Sequence, residues 1–237
     1  MKPVLVLQHL SADGPAYLAR WLRREGLSFE VRNSEAGDPF PDDLSPYAAL
    51  AVLGGEMSAN DPLPSLRRAE VLIRQGVERA VPVIGHCLGG QLMARALGAQ
   101  VVASPAPEVG WQPMRVDGTE PARAWFGAAR TLQVFQWHYE AFDLPPGAVR
   151  LAGSSACPNQ AFAIGPHLAM QFHVEIDAEK LARWSQDDGT RYERALAAHP
   201  QTVQSGAAMR AGASEHLGAH QAFADRLYGR WIAAARW

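Results

Sequence analysis

Disulfide chemistry is the first thing missing: Cys87 and Cys157 are the only 2 cysteines in 237 residues. One pair cannot make a disulfide framework, so the expected setting is a reducing one, the cytoplasm. A surplus of charge is missing too. The 22 Lys and Arg stand against 24 Asp and Glu, a formal net charge of -2, and the basic residues are scattered. Such a chain is a poor match for a polyanion, and nucleic acid is not expected as a partner. No stretch approaches the length of a membrane helix, so no membrane partner is expected. Pro3–Leu7 is apolar but too short for a signal-peptide core, with only Lys2 as a basic residue ahead of it. Internal repeats, a P-loop and a Ser-Gly-Gly-x-Asp-Ser run for activating an acceptor are all absent. What remains is ordinary globular material, 48% apolar and 19% charged, long enough for one well-cored domain or two small ones.

Within it, Val81-Pro-Val-Ile-Gly-His-Cys-Leu-Gly-Gly-Gln-Leu-Met-Ala94 has an unusual order. A short apolar run ends at Gly85, Cys87 stands in a glycine-rich turn, and a helix-forming run covers Gln91–Leu97. Strand, sharp turn and helix lift a side chain off the end of a sheet and expose it. A thiol there sits near the positive end of the helix dipole, which favours thiolate. On its own, Cys87 also reads as an inert buried thiol, the commonest fate of a lone intracellular cysteine. The second stretch, Met170-Gln-Phe-His-Val-Glu-Ile176, changes the balance. On a strand, His173 and Glu175 point the same way, so the imidazole faces the thiol and the carboxylate orients the ring. Nucleophile, base and orienter are then all present.

Three motifs in order carry a family resemblance. Gly85-His-Cys-Leu-Gly-Gly-Gln91 is similar to the G-x-C-x-G-x-Q signature of class I, triad-type glutamine amidotransferases. Gln171-Phe-His-Val-Glu175 resembles their Q-F-H-x-E, and Leu53-Gly-Gly-Glu-Met-Ser-Ala-Asn-Asp61 their glycine-rich oxyanion loop. Together they span about the first three quarters of the chain, and they look like those of a stand-alone, GMP synthase-like glutaminase domain. The resemblance implies hydrolysis of the glutamine side-chain amide by Cys87, His173 and Glu175 through a γ-glutamyl thioester. It places oxyanion donors at the Gly55 and Leu88 amides, and substrate contacts at Gly54, Gln91, His138 and Tyr139. It requires no cofactor and no metal. Glutamine or another γ-glutamyl amide is the small-molecule substrate, and ammonia passes to a separate synthase subunit or is simply lost. A hydrolase of another γ-glutamyl compound, and an idle module binding glutamine or a partner, are the competing readings. Departures from the family pattern are His86 before the thiol, Gly90 where many relatives have His, and Glu56 and Val174 in place of common prolines.

Along the chain, strands are expected at Pro3–Leu7, Leu27–Val31, Tyr47–Leu53 and Val81–Ile84. Helices are expected at Pro15–Glu25 and Leu63–Ala80. This alternation predicts an α/β fold: an open, mostly parallel, flavodoxin-like sheet with helices on both faces. From Gln100 to about Phe172 short alternating runs predict antiparallel hairpins extending that sheet. His138, in Gln136-Trp-His-Tyr-Glu140, is the rival candidate for the base, and His173 is preferred because Glu175 stands behind it. Asp177–Trp237 reads as helical: Glu179–Trp184, Tyr192–Ala198, Thr202–Ala211 and Glu215–Ala235, with mobility expected around the small-residue segment Gly206–Ser214. His216 and His220 have i, i+4 spacing but no acid between them, a poor zinc pattern. The expected organisation is one domain, 1–237, with a catalytic α/β core at 1–176 and a helical extension at 177–237.

Overall fold

The computed structural model describes residues 2–186 and 189–237. Val4–Leu7 are completely buried, the mark of a parallel strand covered on both faces. They form β1 (Val4–Gln8), which pairs in parallel with β2 (Phe29–Asn33) and β3 (Ala49–Val52). Next to β3 come β4 (Val83–His86) and β9 (His167–Met170), also parallel. The sheet then turns antiparallel through β8 (Ala161–Ile164), β7 (Val149–Gly153), β5 (Val101–Val116) and β6 (Thr131–Phe142). The full order is β2-β1-β3-β4-β9-β8-β7-β5-β6. The fold is therefore α/β, with an open parallel half and an antiparallel half.

Alternate residues of β1 feed the two faces. Val4 and Val6 pack with α1 (Ala16–Arg24), α4 (Glu120–Phe126) and α7 (Gly206–Ala233). Leu5 and Leu7 pack with α2 (Pro64–Glu78) and α3 (Leu88–Ala96). A third cluster, around Trp111, Phe135 and Met209, joins the β5–β6 hairpin to α5 (Ala178–Trp184), α6 (Thr190–Ala198) and α7.

Four local outcomes differ from the expectations. The runs at Gln100–Ala103 and Val109–Val116 are one strand, β5, with a register shift against β6 between Ala103 and Glu108. Residues 120–126 form α4, whose start is capped by the Thr119 hydroxyl accepting from the Ala122 amide. The two expected C-terminal helices are one 28-residue helix, and Gly206–Ser214 is helical. Gly212 lies against the Trp111 indole, where a Cβ would come within 2.7 Å of the ring, so the small residue serves close packing. Finally, β9 ends at Met170, and His173 follows it as an isolated bridge to Phe135.

Candidate active site

Cys87 sits where β4 stops and α3 begins. It is the N-cap of α3 with φ 49 and ψ -107, a backbone shape L-residues rarely adopt. Its amide donates to the Met170 carbonyl at 2.9 Å and its carbonyl accepts from Gln91 at 2.9 Å, which locks the turn between β9 and the helix. Small residues are needed here: any Cβ at Gly89 would strike the Val52 carbonyl, and at Gly90 the Met170 carbonyl. The sulfur lies 3.5 Å from the Trp137 carbonyl oxygen and 3.7 Å from the Gln171 side-chain nitrogen. Gln171 escaped the residue-level reading, although it heads the motif that contains His173. His86, one residue before, is fully buried between the Val52 carbonyl and the Tyr228 hydroxyl, and burial lowers its pKa. It packs behind the thiol, on the side away from the cleft.

His173 Nδ1 is 2.7 Å from Glu175 Oε1, with both side chains buried. Nε2 has no regular hydrogen bond among the described residues, and Cys87 acts on the ring through its charge. Burial alone would lower the His173 pKa, but Glu175 and then Cys87 outweigh it and carry it up to about 10. Burial likewise opposes ionisation of Glu175, yet Lys180 and His173 hold the carboxyl well below its usual range. The ring is fixed from several sides. Trp184 stands edge-on at 4.7 Å between centroids, and the His173 carbonyl accepts from His220 Nε2 at 2.8 Å. A Cβ on Gly54 would come within 2.9 Å of His173 Cε1. Gly54 thus lies against the imidazole and not on the cleft wall, where a substrate contact would place it. Its neighbour Gly55 does line the cleft, and Leu88 supplies the first amide of α3, which has no partner inside the helix.

These groups face a cleft of about 600 Å³. Gln91, His138 and Tyr139 line it. Gln91 Nε2 donates to the Glu140 carbonyl at 3.1 Å, and Ser58 Oγ donates to the Glu140 carboxylate at 2.9 Å. The Arg191 guanidinium covers the Tyr139 ring at 3.9 Å. The far wall, beside His173, comes from Leu10, Ala12, Asp13, Arg183 and Trp184. Asp13, Lys180 and Trp184 carry no sequence signal for a site, since each sits in an unremarkable loop or helix pattern.

His138 is held away from Cys87. Its Nδ1–H donates to the Glu140 carbonyl at 3.1 Å, and its Nε2 is 3.1 Å from Glu108 Oε2. Glu108, His138 and Cys157 come together from three segments, with ligand atoms within 4.8 Å of one another, and among the described residues they form a group that could hold a metal ion. Gln160 donates to the same Glu108 oxygen at 2.5 Å, and the Cys157 thiol donates to the Asn159 carbonyl at 3.5 Å. Burial first, and the Glu108 charge second, push that thiol up to about 12. His216 and His220 both lie against Trp111, and His220 also holds the His173 carbonyl.

The class-I glutamine amidotransferase family matches residues 16–183. The chain is 32% identical over 207 residues to YfeJ of Salmonella typhimurium, named a glutamine amidotransferase-like protein, covering 80% of this chain and 85% of that one. It is 30% identical over 161 residues to the glutamine-hydrolyzing GMP synthase of Aeropyrum pernix, covering 67% of this chain but 30% of that one. A glutamine amido transferase of Methylobacillus flagellatus superposes with a TM-score of 0.90 at 33% identity, covering 100% of this chain and 96% of its own. No described helix is long and apolar enough to cross a membrane. With the family's matched region holding the Cys87 elbow, His173 and Glu175, the chain belongs to the class I glutamine amidotransferases.

Proposed function

We propose that residues 1–237 work as one glutaminase domain that hydrolyses the side-chain amide of glutamine and releases glutamate and ammonia. The observation carrying this is a buried imidazole with Nδ1 on Glu175, 2.7 Å away, and Nε2 open beside a thiol at a helix N-cap. An imidazole carried up to about 10 keeps a proton at neutral pH, so His173 meets the substrate as an imidazolium beside Cys87. The thiolate attacks the amide carbon, and the Gly55 and Leu88 amides receive the oxyanion. His173 gives its Nε2 proton to the nitrogen as the C–N bond breaks, leaving a γ-glutamyl thioester and ammonia. Neutral His173 then takes a proton from water, whose oxygen displaces the sulfur and yields glutamate. Glu175 keeps the ring oriented through both halves. Gln91, Tyr139 and the backbone around His138 hold the glutamyl part, with Gly54 acting through the His173 ring.

Ammonia then needs an acceptor. The relatives named as GMP synthases contain far more chain than this one, which spans 30% of the length of the Aeropyrum pernix protein. A separate synthase subunit taking the ammonia follows from that likeness. The cleft favours a second reading: at about 600 Å³, with Trp184 and Arg183 on the His173 side where the leaving group departs, it has room for a γ-glutamyl amide of a larger amine. The deciding experiment measures glutamate release by the purified chain from glutamine and from a panel of γ-glutamyl amides, beside Cys87→Ala. Release from glutamine alone supports the first reading and a preference for larger amides the second. Equal inactivity of both proteins, with and without cell extract, sinks catalysis.

A further inference from the structure

Behind Glu175, on the side away from Cys87, a lysine is completely buried. Lys180 projects from α5 with Nζ 3.1 Å from Glu175 Oε1, the same oxygen that binds His173 Nδ1. Its other partners are Asp13 Oδ1 at 2.5 Å and the Gly14 carbonyl at 3.3 Å, and it lies 4.8 Å from the Trp184 ring. Asp13 belongs to the β1–α1 loop and reaches the cleft wall. The loop is tied down from the other side, because the Tyr17 amide donates to the Glu175 carbonyl at 2.9 Å. Asp13, Lys180, Glu175 and His173 thus form one continuous line of alternating charge running from the cleft wall back to the imidazole.

A buried ion pair is weak evidence of stabilisation, since apolar residues of the same volume do as well. Sharing one carboxylate oxygen between a lysine and the imidazole has a more definite consequence. The charge Glu175 offers to His173 is reduced by whatever part Lys180 neutralises. What Lys180 can neutralise is in turn reduced by Asp13. We propose that Lys180 and Asp13 are positioning residues for the triad, a built-in counterweight that sets how tightly Glu175 holds the proton on His173. The proposal rests on His173 as the acid–base group of the preceding section.

Apart from Cys87 on the cleft side, the surroundings leave this line as the main charge near the ring. His86 on β4 and His220 on α7 are buried, and burial lowers both pKa values. Tyr228 on α7 is buried and raised well above its usual range. All three are uncharged near neutrality. Arg183 and Glu179 pair with each other on the exposed side of α5. Lys180 itself is disfavoured as a cation by burial, but Glu175 and Asp13 reverse this and raise its pKa, so it stays charged.

The test is one of sign. The rate at which iodoacetamide alkylates Cys87 is measured against pH, which requires no turnover and so stands even if glutamine is not the substrate. Lys180→Met removes a positive charge and is expected to move the midpoints of that profile to higher pH by about one unit; Asp13→Asn is expected to move them the other way. The double variant removes one charge of each sign and should fall between the single variants. Profiles that stay in place while thermal stability falls, or that move in the same direction in both single variants, overturn the proposal. Should Lys180→Met fail to fold, Asp13→Asn decides alone: a shift to lower pH supports the counterweight, and no shift or an upward one refutes it.

Discussion

The protein holds two constellations of cysteine, histidine and glutamate, one at Cys87–His173–Glu175 and one at Cys157–His138–Glu108. All six side chains are buried to within a few per cent, so composition and burial do not separate them. What separates them is the hydrogen bonding of the imidazole and the place of the sulfur. His173 spends Nδ1 on its glutamate and keeps Nε2 open on the thiol side, whereas His138 spends Nδ1 on the Glu140 carbonyl and Nε2 on its glutamate. Neither nitrogen of His138 is left to take a proton from Cys157. Cys87 caps a helix at the cleft, while Cys157 lies wholly inside, with its thiol donating to a carbonyl and its pKa pushed up to about 12. The difference teaches that a triad is a matter of which ring nitrogen stays free, a property residue types alone do not encode.

The strongest way to break this contrast is to remove the two sulfurs in turn. Cys87→Ala is expected to lower glutamate release by at least about a thousandfold, as loss of a covalent nucleophile does. Cys157→Ala should leave kcat within about threefold, because a buried, protonated thiol contributes packing and little else. Comparable losses in both would show that the second constellation takes part in turnover. Exchanging the imidazoles gives a smaller effect. His173→Gln should cost about a hundredfold or more in kcat, the range of a lost general acid–base. His138→Gln should act mainly on KM, by loosening the strand that carries Tyr139 and Glu140 into the cleft. A kcat loss for His138→Gln as large as for His173→Gln would reverse the assignment of the base.

Reactivity sharpens the comparison without turnover. A chloroketone analogue of glutamine should place one label per chain, on Cys87, and mass spectrometry should find Cys157 unmodified until the chain is denatured. Label on Cys157 in the native protein would mean that its burial and raised pKa do not protect it.

Much of the first constellation was legible in the sequence and almost none of the second. The Cys87 elbow could be read because an apolar run, a glycine turn and a helix-forming run are contiguous, and close backbone approach at Gly89 and Gly90 demands glycine. His173 and Glu175 were legible as a two-residue spacing, although they lie past the end of β9 and keep their common direction through the bridge to Phe135 and the Tyr17–Glu175 backbone bond. Glu108, His138 and Cys157 come from distant segments that only the β5–β6–β7–β8 pairing brings together, so no local pattern announces them. Lys180 was illegible for another reason: a lysine on a helix is ordinarily a solvated residue, and only tertiary packing against Asp13 and Glu175 buries it. The α4 helix was overlooked because Gln100 to about Phe172 was read throughout as short strands, where the Thr119 cap and Pro121 in fact open a helix.

The smallest expected effect concerns stability against pH, and it again separates the two clusters. The folded-state pKa of His173 is raised from 6.5 to about 10, so its contribution is fully present below 6.5 and is lost as pH rises through about 10. Glu175 is depressed below 4.5, so its contribution is present above 4.5 and is lost as pH falls. Both describe one interaction, which is therefore strongest between these limits and fades on the alkaline side. Cys157 lowers stability in the same direction there, but over a higher pH range. Its thiol must stay protonated in the fold, and an unfolded thiol ionises near 9, so unfolding gains from ionising that thiol between 9 and about 12. Chemical denaturation at pH 6, 8 and 10 should show stability falling with pH in the wild type. Glu175→Gln should flatten the part between 6 and 8, where Cys157 does not titrate, and Cys157→Ala should flatten the part above 9. If Glu175→Gln retains the full slope between 6 and 8, the imidazole–carboxylate pair is not what carries it, and the contrast between the two constellations loses its energetic half.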